Sequence, residues 1–271
     1  MTACSAAAAG RWHQAIPSRT LDKHLTDSEV AATVALQLGV DVFSGGCQCH
    51  FCGEAMNSKG VHAASCTCGG DMVLRHNAVR DIIFEFAQRG QLQPVLEKRD
   101  ILDEPGVLVS LRRPADVLVD SLSGDARRPQ EAPMPVALDI KVINALGQGH
   151  YEKTLNGPHV AAVAYRLQQQ QHQDTGAQCA AVGICYEPLV FTAQGACEPH
   201  AEAILNQIVQ AVADTEAAPK AQIKADLMEK ISLSIARSVA RAVARRAPPK
   251  ALGPPGSVFR ILAECGGALE P

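Results

Sequence analysis

In RHNAVRDIIFEFAQRG, residues 75–90, Val79, Ile82, Ile83 and Phe86 fall at i, i+3, i+4 and i+7, and Gly90 closes the run. That spacing puts the apolar side chains on one stripe and predicts an amphipathic helix. TDSEVAATVALQLGV predicts another over 26–39, with Thr26 and Glu29 at capping-box spacing and Gly39 as the stop. In PHAEAILNQIVQAVADT, Ala201, Ile204, Leu205, Ile208 and Val212 share a face. HVAAVAYRLQQQQHQ (159–173) and ADLMEKISLSIARSVARAVARR (225–246) also have a helical pattern.

Shorter apolar runs predict strands: GVLVSL at 106–111, ADVLVD at 115–120, PVALDIKVI at 135–143, and one or two strands in CAAVGICYEPLVF at 179–191. A polar loop joins the second run to the third, which makes them a candidate hairpin. No internal repeat is evident. Helix, three strands, helix, strand and helix in that order predict a mixed α/β layered fold. Residues 1–25 and the proline-rich APPKALGPPGS after 246 are expected to be loosely ordered.

One stretch has neither period. Residues 47–70 are rich in Gly, Ser, Cys and His, so something other than a hydrophobic core must order them. Cys49-x2-Cys52-x9-His62-x3-Cys66 offers three thiolates and an imidazole at ordinary zinc spacings. Gly53 and Gly60 let the chain fold back, and binding the ion would supply ordering free energy. Four protein ligands make a closed, structural site. Cys47, Cys68 and His50 are spare, and any of them could replace a ligand. The bland alternative is a loop of unligated cysteines.

Composition narrows the setting. With 271 residues the chain can bury a sizeable core, as one large domain or one domain with appendages. A net charge of −3 gives no global attraction to nucleic acid, so DNA binding would need a local basic patch. Aromatic residues are 4% of the chain, too few for base stacking to dominate. MTACSAAAAGRWHQ lacks the basic start and apolar centre of a secretory signal. No run reaches the roughly 18 apolar residues of a membrane span. An intracellular, reducing compartment is therefore expected, where clustered cysteines bind metal more often than they form disulfides.

Charges inside two apolar strand runs need an explanation, because burying them unpaired is costly. In LDIKV, Asp139 and Lys141 are two residues apart and share a strand face. Asp116 opens the neighbouring run, so pairing the two strands would bring both aspartates to one end. Two converging carboxylates suit a hard cation such as Mg2+. A lysine beside it can orient or deprotonate a water and stabilise charge on a phosphate. Glu97 could add a third carboxylate. The alternatives are a solvated Asp139–Lys141 face, or an Asp116–Arg113 pair. Arg237, Arg241 and Arg245, at i, i+4 and i+8, share a helix face that could follow a DNA backbone. Arg112, Arg113, Arg127 and Arg128 flank the acidic strands.

Taken in order, these motifs resemble the restriction-like endonuclease region that follows the reverse transcriptase in some non-LTR retrotransposons. That region belongs to the PD-(D/E)XK nuclease superfamily. The zinc-knuckle-like set is Cys49, Cys52, His62 and Cys66 in CHFCGEAMNSKGVHAASC. RHN follows as Arg75, His76 and Asn77, then Glu97, then Arg113-Pro114-Ala115-Asp116, then Asp139-Ile140-Lys141. YEPLVFTAQGA is similar to the next strand and turn, and SIARSVARAVARR to the family's arginine-rich late helix. The resemblance spans roughly residues 10–250.

It implies an α/β restriction-endonuclease-like mixed sheet flanked by helices, with a small zinc-bound knuckle. The expected division is an N-terminal segment with one helix (1–45), a CCHC knuckle (46–72), the nuclease core (73–215), and a basic helix with a flexible tail (216–271). Asp116 and Asp139 would hold Mg2+ or Mn2+, with Glu97 as accessory acid and third ligand and Lys141 as catalytic lysine. Arg75, His76, Arg113, Arg237, Arg241 and Arg245 would contact DNA. The implied activity is DNA nicking that primes reverse transcription, in the nucleus. DNA is the expected partner, with a reverse transcriptase domain or element RNA beside it, and no membrane. Two features depart from the family: this chain contains no reverse transcriptase, and the helix after D-x-K carries Arg166 and glutamines where relatives often have lysine. The alternative is a catalytically inactive nucleic-acid-binding remnant that uses the knuckle and the basic helix.

Overall fold

The computed structural model describes residues 2–5, 9–43, 45–102, 113–122 and 134–246. The expected strand GVLVSL, Arg112, Arg127, Arg128 and the tail after 246 lie outside them. Helix α1 spans Asp27–Leu38, and its capping box forms as expected: Thr26 Oγ1 accepts from the Glu29 amide, and Glu29 Oε2 accepts from the Thr26 amide. Then come β1 (Cys47–Gln48), β2 (Ala55–Met56), α2 (Val61–Ser65), α3 (Asp71–Arg89), β3 (Val95–Leu96), β4 (Val117–Val119) and β5 (Val136–Ile143). The chain continues with α4 (Tyr151–Leu155), α5 (Val160–Gln171), α6 (Thr175–Ala181), β6 (Cys185–Thr192), α7 (Pro199–Glu216) and α8 (Lys220–Arg246). No described helix is long and apolar enough to cross a membrane.

The main sheet runs β3-β4-β5-β6, antiparallel except for the parallel β5–β6 pair. The β4–β5 hairpin inferred from the sequence is present. Alternation along β5 divides its neighbours. Leu138, Ile140 and Val142 join Leu189 and Phe191 in the main core with α3, α7 and α8. Ile143 packs with Val190, Ala161 and Ala162, and Ala137 packs with Cys179 and Ile184 on the α5–α6 side. Helices thus cover both faces of the mixed sheet, and β5 reads as a nearly continuous apolar run because both its faces are buried.

Two expectations change, and one strand is unforeseen. The first part of CAAVGICYEPLVF is the end of α6, not strand; Gly183 at φ +75° ends the helix and turns the chain into β6. The two-residue β3 is too short to leave a pattern in the sequence. Helix α8 is also not an appendage: Leu227, Ile231, Ile235 and Val239 lie in the main core, and Val243 packs beside Val42, Phe43 and Met56. A boundary at residue 216 cuts through that core.

Candidate zinc centre and acidic site

The cysteine stretch has more local structure than its composition suggested. Strands β1 and β2 form a small hairpin whose turn carries Cys49 and Cys52. Gly53, at φ +76°, donates its amide to the Cys49 carbonyl at 2.7 Å and closes that turn. His62 sits in the first turn of α2, and Cys66 follows its last residue. Gly60 admits no side chain, because an added Cβ would lie 2.7 Å from Val42 Cγ2.

These elements bring one ligand atom each from Cys49, Cys52, His62 and Cys66 within 4.8 Å of one another. The Cys49–Cys66 and Cys52–Cys66 sulfurs are 3.9 and 3.7 Å apart, and Cys52 Sγ is 3.2 Å from His62 Nε2. Zn–S bonds of about 2.3 Å in a tetrahedron place sulfurs about 3.8 Å apart. The four side chains therefore have the spacing and chemistry to hold a zinc ion. The spare residues fall outside the cluster. Cys47 lies in β1, His50 is exposed against Phe51, and Cys68 is exposed, its carbonyl accepting from Arg246. Arg246, fully buried, also lowers the pKa of the Cys66 thiol against the upward effect of burial.

The second site lies at the start of β4. Val117 pairs with Leu138, which sets Asp116 across from Asp139. Asp116 Oδ1 is 3.1 Å from His76 Nε2, and Oδ2 accepts from the Ile140 amide at 2.6 Å. Asp139 Oδ1 meets the Lys141 ammonium at 2.7 Å, and Oδ2 accepts from the Tyr186 hydroxyl at 2.7 Å. Burial works against ionisation of Asp116, but His76, the Ile140 amide and Lys141 outweigh it and lower its pKa. Burial instead pushes Asp139 up, aided by the Asp116 charge and only partly offset by Lys141. Burial disfavours charge on Lys141, yet the two aspartates hold its pKa above the ordinary value, so it is an ammonium at neutral pH.

Glu97 is a neighbour of this pair along the sheet but does not join it. Its amide donates to the Asp116 carbonyl at 3.0 Å, while its carboxylate is held by Arg80 and Arg113. Among the described residues, the group of three or more acidic, cysteine or histidine ligands that converges within 4.8 Å is the Cys3His set, with no three-carboxylate set beside it. The Asp116–Arg113 pair considered from sequence is replaced by Asp116–His76.

The expected DNA-facing residues divide. His76 is in the acidic site, and Arg113 is beside it. Arg75 is 2% exposed and gives Nη1 to the Ala64 carbonyl at 3.0 Å, bracing α2 from inside; burial pulls its pKa down to about 10. Arg237 holds Asp22 and the His24 carbonyl, Arg241 holds Glu29, and Arg245 holds Asp71. Their shared face pairs with acidic residues of the N-terminal segment, α1 and the start of α3, while Arg241 and Arg245 stay 64% and 45% exposed. Sequence reasoning missed Tyr186 and Arg80. Only the parallel register reveals Tyr186, whereas Arg80 could have been found four residues after His76 on the same helix face. In comparisons with protein-family models, curated proteins and solved structures, nothing matches this chain.

Proposed function

We propose that this chain is a metal-dependent DNA endonuclease that hydrolyses a phosphodiester bond, by nicking, at Asp116 and Asp139. The observation that carries this reading is the cross-strand placement of buried Asp139 and half-buried Asp116, with Lys141 on the former. Two like charges in a buried site destabilise each other, and a divalent cation relieves that cost. The donor set suits Mg2+ or Mn2+: carboxylate oxygens, each held by a hydrogen bond or an ion pair. Bound there, the cation would supply Lewis-acid stabilisation of a phosphoryl oxygen and a more acidic water.

The protein's own groups would do the rest. The Ile140 amide and His76 orient Asp116, Tyr186 and Lys141 orient Asp139, and the Lys141 ammonium offers charge to the phosphate. The sequence resemblance to restriction-like endonucleases of non-LTR elements supports the same reaction. The zinc knuckle would be structural. DNA, Mg2+ or Mn2+, and a nuclear site of action belong to this proposal.

The test is a supercoiled-plasmid assay on zinc-loaded protein in Mg2+ and in Mn2+, beside Asp139→Ala and Lys141→Ala. Relaxed or linear product from the wild type alone supports the nuclease. DNA retarded in a gel but uncut in both metals supports a binding protein that keeps the scaffold without the reaction.

A further inference from the structure

Glu97 stands where three carboxylates would fall on one line across the sheet, yet its side chain turns away to two guanidiniums. Leu96 pairs with Val117 and Val117 with Leu138, so residues 97, 116 and 139 are successive cross-strand neighbours. Like charges placed so are mutually unfavourable. Glu97 has φ +43°, a left-handed conformation uncommon for a non-glycine residue. Arg80 Nη1 from α3 and Arg113 Nη1 from the segment before β4 take one carboxylate oxygen each. Arg80 is anchored, with 12% of its side chain exposed and its Nε donating to Asp81 at 2.9 Å. Arg113 and Glu97 are open to solvent, at 41% and 36%.

We propose that Arg80 and Arg113 form a binding site for a backbone phosphate of DNA beside Asp116, and that Glu97 fills it as an internal anion until DNA displaces it. Two guanidiniums converging on one anion are suited to a phosphodiester, which spreads its charge over two oxygens and accepts from both forks. The Arg113–Glu97 pair lies at a solvent-open edge and exchanges at little cost, while the half-buried Arg80 stays in place for the incoming anion. The phosphate would then lie next to the aspartate pair. This site rests on the nuclease reading for its purpose, but binding can be measured without cleavage.

The experiment measures fluorescence anisotropy of a short labelled DNA duplex against salt concentration, with zinc retained and no Mg2+ or Mn2+ added. Wild type is compared with Glu97→Gln, Arg80→Gln and Arg113→Gln, each checked for zinc content and melting temperature. Arg113 is exposed enough that its variant will fold. The expected result is that Glu97→Gln binds several-fold tighter. Each arginine variant should bind about tenfold weaker and lower the salt slope by about 1. If Glu97→Gln binds no tighter, or Arg113→Gln keeps the wild-type affinity and slope, the proposal is overturned. The same holds if the wild type binds no DNA. Plasmid cleavage by wild type that Glu97→Gln abolishes without tighter binding would make Glu97 a metal ligand instead, sparing the nuclease and sinking the phosphate site. Tighter binding by Glu97→Gln with no cleavage by any protein would do the reverse.

Discussion

The Tyr186 hydroxyl donates to Asp139 Oδ2 at 2.7 Å from β6, the strand that runs parallel to β5. With Lys141 on Oδ1, both oxygens of the carboxylate are fixed. Tyr186→Phe keeps the ring and its packing and removes only this donor. Under the proposed reaction, nicking should fall about 10–100-fold, as for other groups that orient a metal-binding carboxylate. Half-saturation in Mg2+ should rise while the melting temperature changes little. Unchanged nicking and Mg2+ dependence would separate Tyr186 from the chemistry.

Zinc content gives a sharper check on the knuckle. Protein purified without chelator should carry one zinc per chain, measured by elemental analysis. Cys49→Ser, Cys52→Ser, His62→Ala or Cys66→Ser should each lose it. Cys47→Ser and Cys68→Ser should keep it, since neither thiol is in the cluster. Chelation should also lower the melting temperature of the whole chain, because Val243 of the long last helix packs into the same small core as Cys49 and Cys66.

The sequence revealed what depends on local spacing. The Cys3His set is close in the chain, the α1 cap joins residues three apart, and the amphipathic stripes of α3 and α7 emerged as drawn. Pairing the D-x-K strand with the run from Asp116 was also legible, because the polar loop between them suggested a hairpin. What depended on distant partners was hidden. The spacing of Arg237, Arg241 and Arg245 shows one basic face, but not its partners Asp22, Glu29 and Asp71, which lie some 170 or more residues earlier. The strand position of Glu97 beside Asp116 suggests a third metal ligand. Only the positive φ and the two arginines, one of them on α3, show where its carboxylate goes.

If α8 belongs to the core, cutting one of its apolar side chains should be as damaging as a cut in α3. Leu227 is fully buried within the main cluster. Leu227→Ala should cost about 3 kcal/mol, from lost transfer energy and the cavity left behind. Urea unfolding would show it as a lower midpoint at unchanged slope. A loss below about 1 kcal/mol would mean the helix is loosely attached.

Asp226 ties three parts of the chain together: its Oδ1 meets Lys23 at 2.8 Å and its Oδ2 meets Arg89 at 3.3 Å. Burial raises its pKa, but Lys23, Lys230 and Arg89 outweigh burial and leave it below the ordinary 3.8. A depressed folded pKa means that the stabilisation is complete above the unfolded value and is lost as pH falls through the folded one. Stability should therefore decline on the acid side of about pH 4. Asp226→Asn should remove about 1 kcal/mol at neutral pH and flatten part of that acid limb. Urea midpoints from neutral to acidic pH read both. An acid limb as steep as that of the wild type would assign it to other carboxylates.

Asp71 offers the most severe test, because its buried carboxylate meets a fully buried guanidinium. Its side chain is 7% exposed, and the Arg246 side chain it meets is fully buried. Arg246 also donates to the Ala242 carbonyl at 2.9 Å and the Cys68 carbonyl at 2.6 Å, so one guanidinium joins the end of α8 to the loop after the zinc ligands. Arg75 feels the same carboxylate, whose charge works against the fall in pKa that burial causes. Removing one partner of a buried pair leaves an uncompensated charge, which typically costs 3–5 kcal/mol, whereas replacing both with apolar groups can be nearly neutral. Asp71→Asn should therefore destabilise by about 3 kcal/mol or more and release zinc at a lower chelator concentration. Adding Arg246→Met in the same chain should recover much of the melting temperature without restoring zinc retention, since the tie to the Cys68 carbonyl stays broken. If Asp71→Asn melts with the wild type and keeps its zinc equally well, the pair is incidental. The knuckle would then be held by the metal and the packing of Val42, Phe43 and Val243 alone.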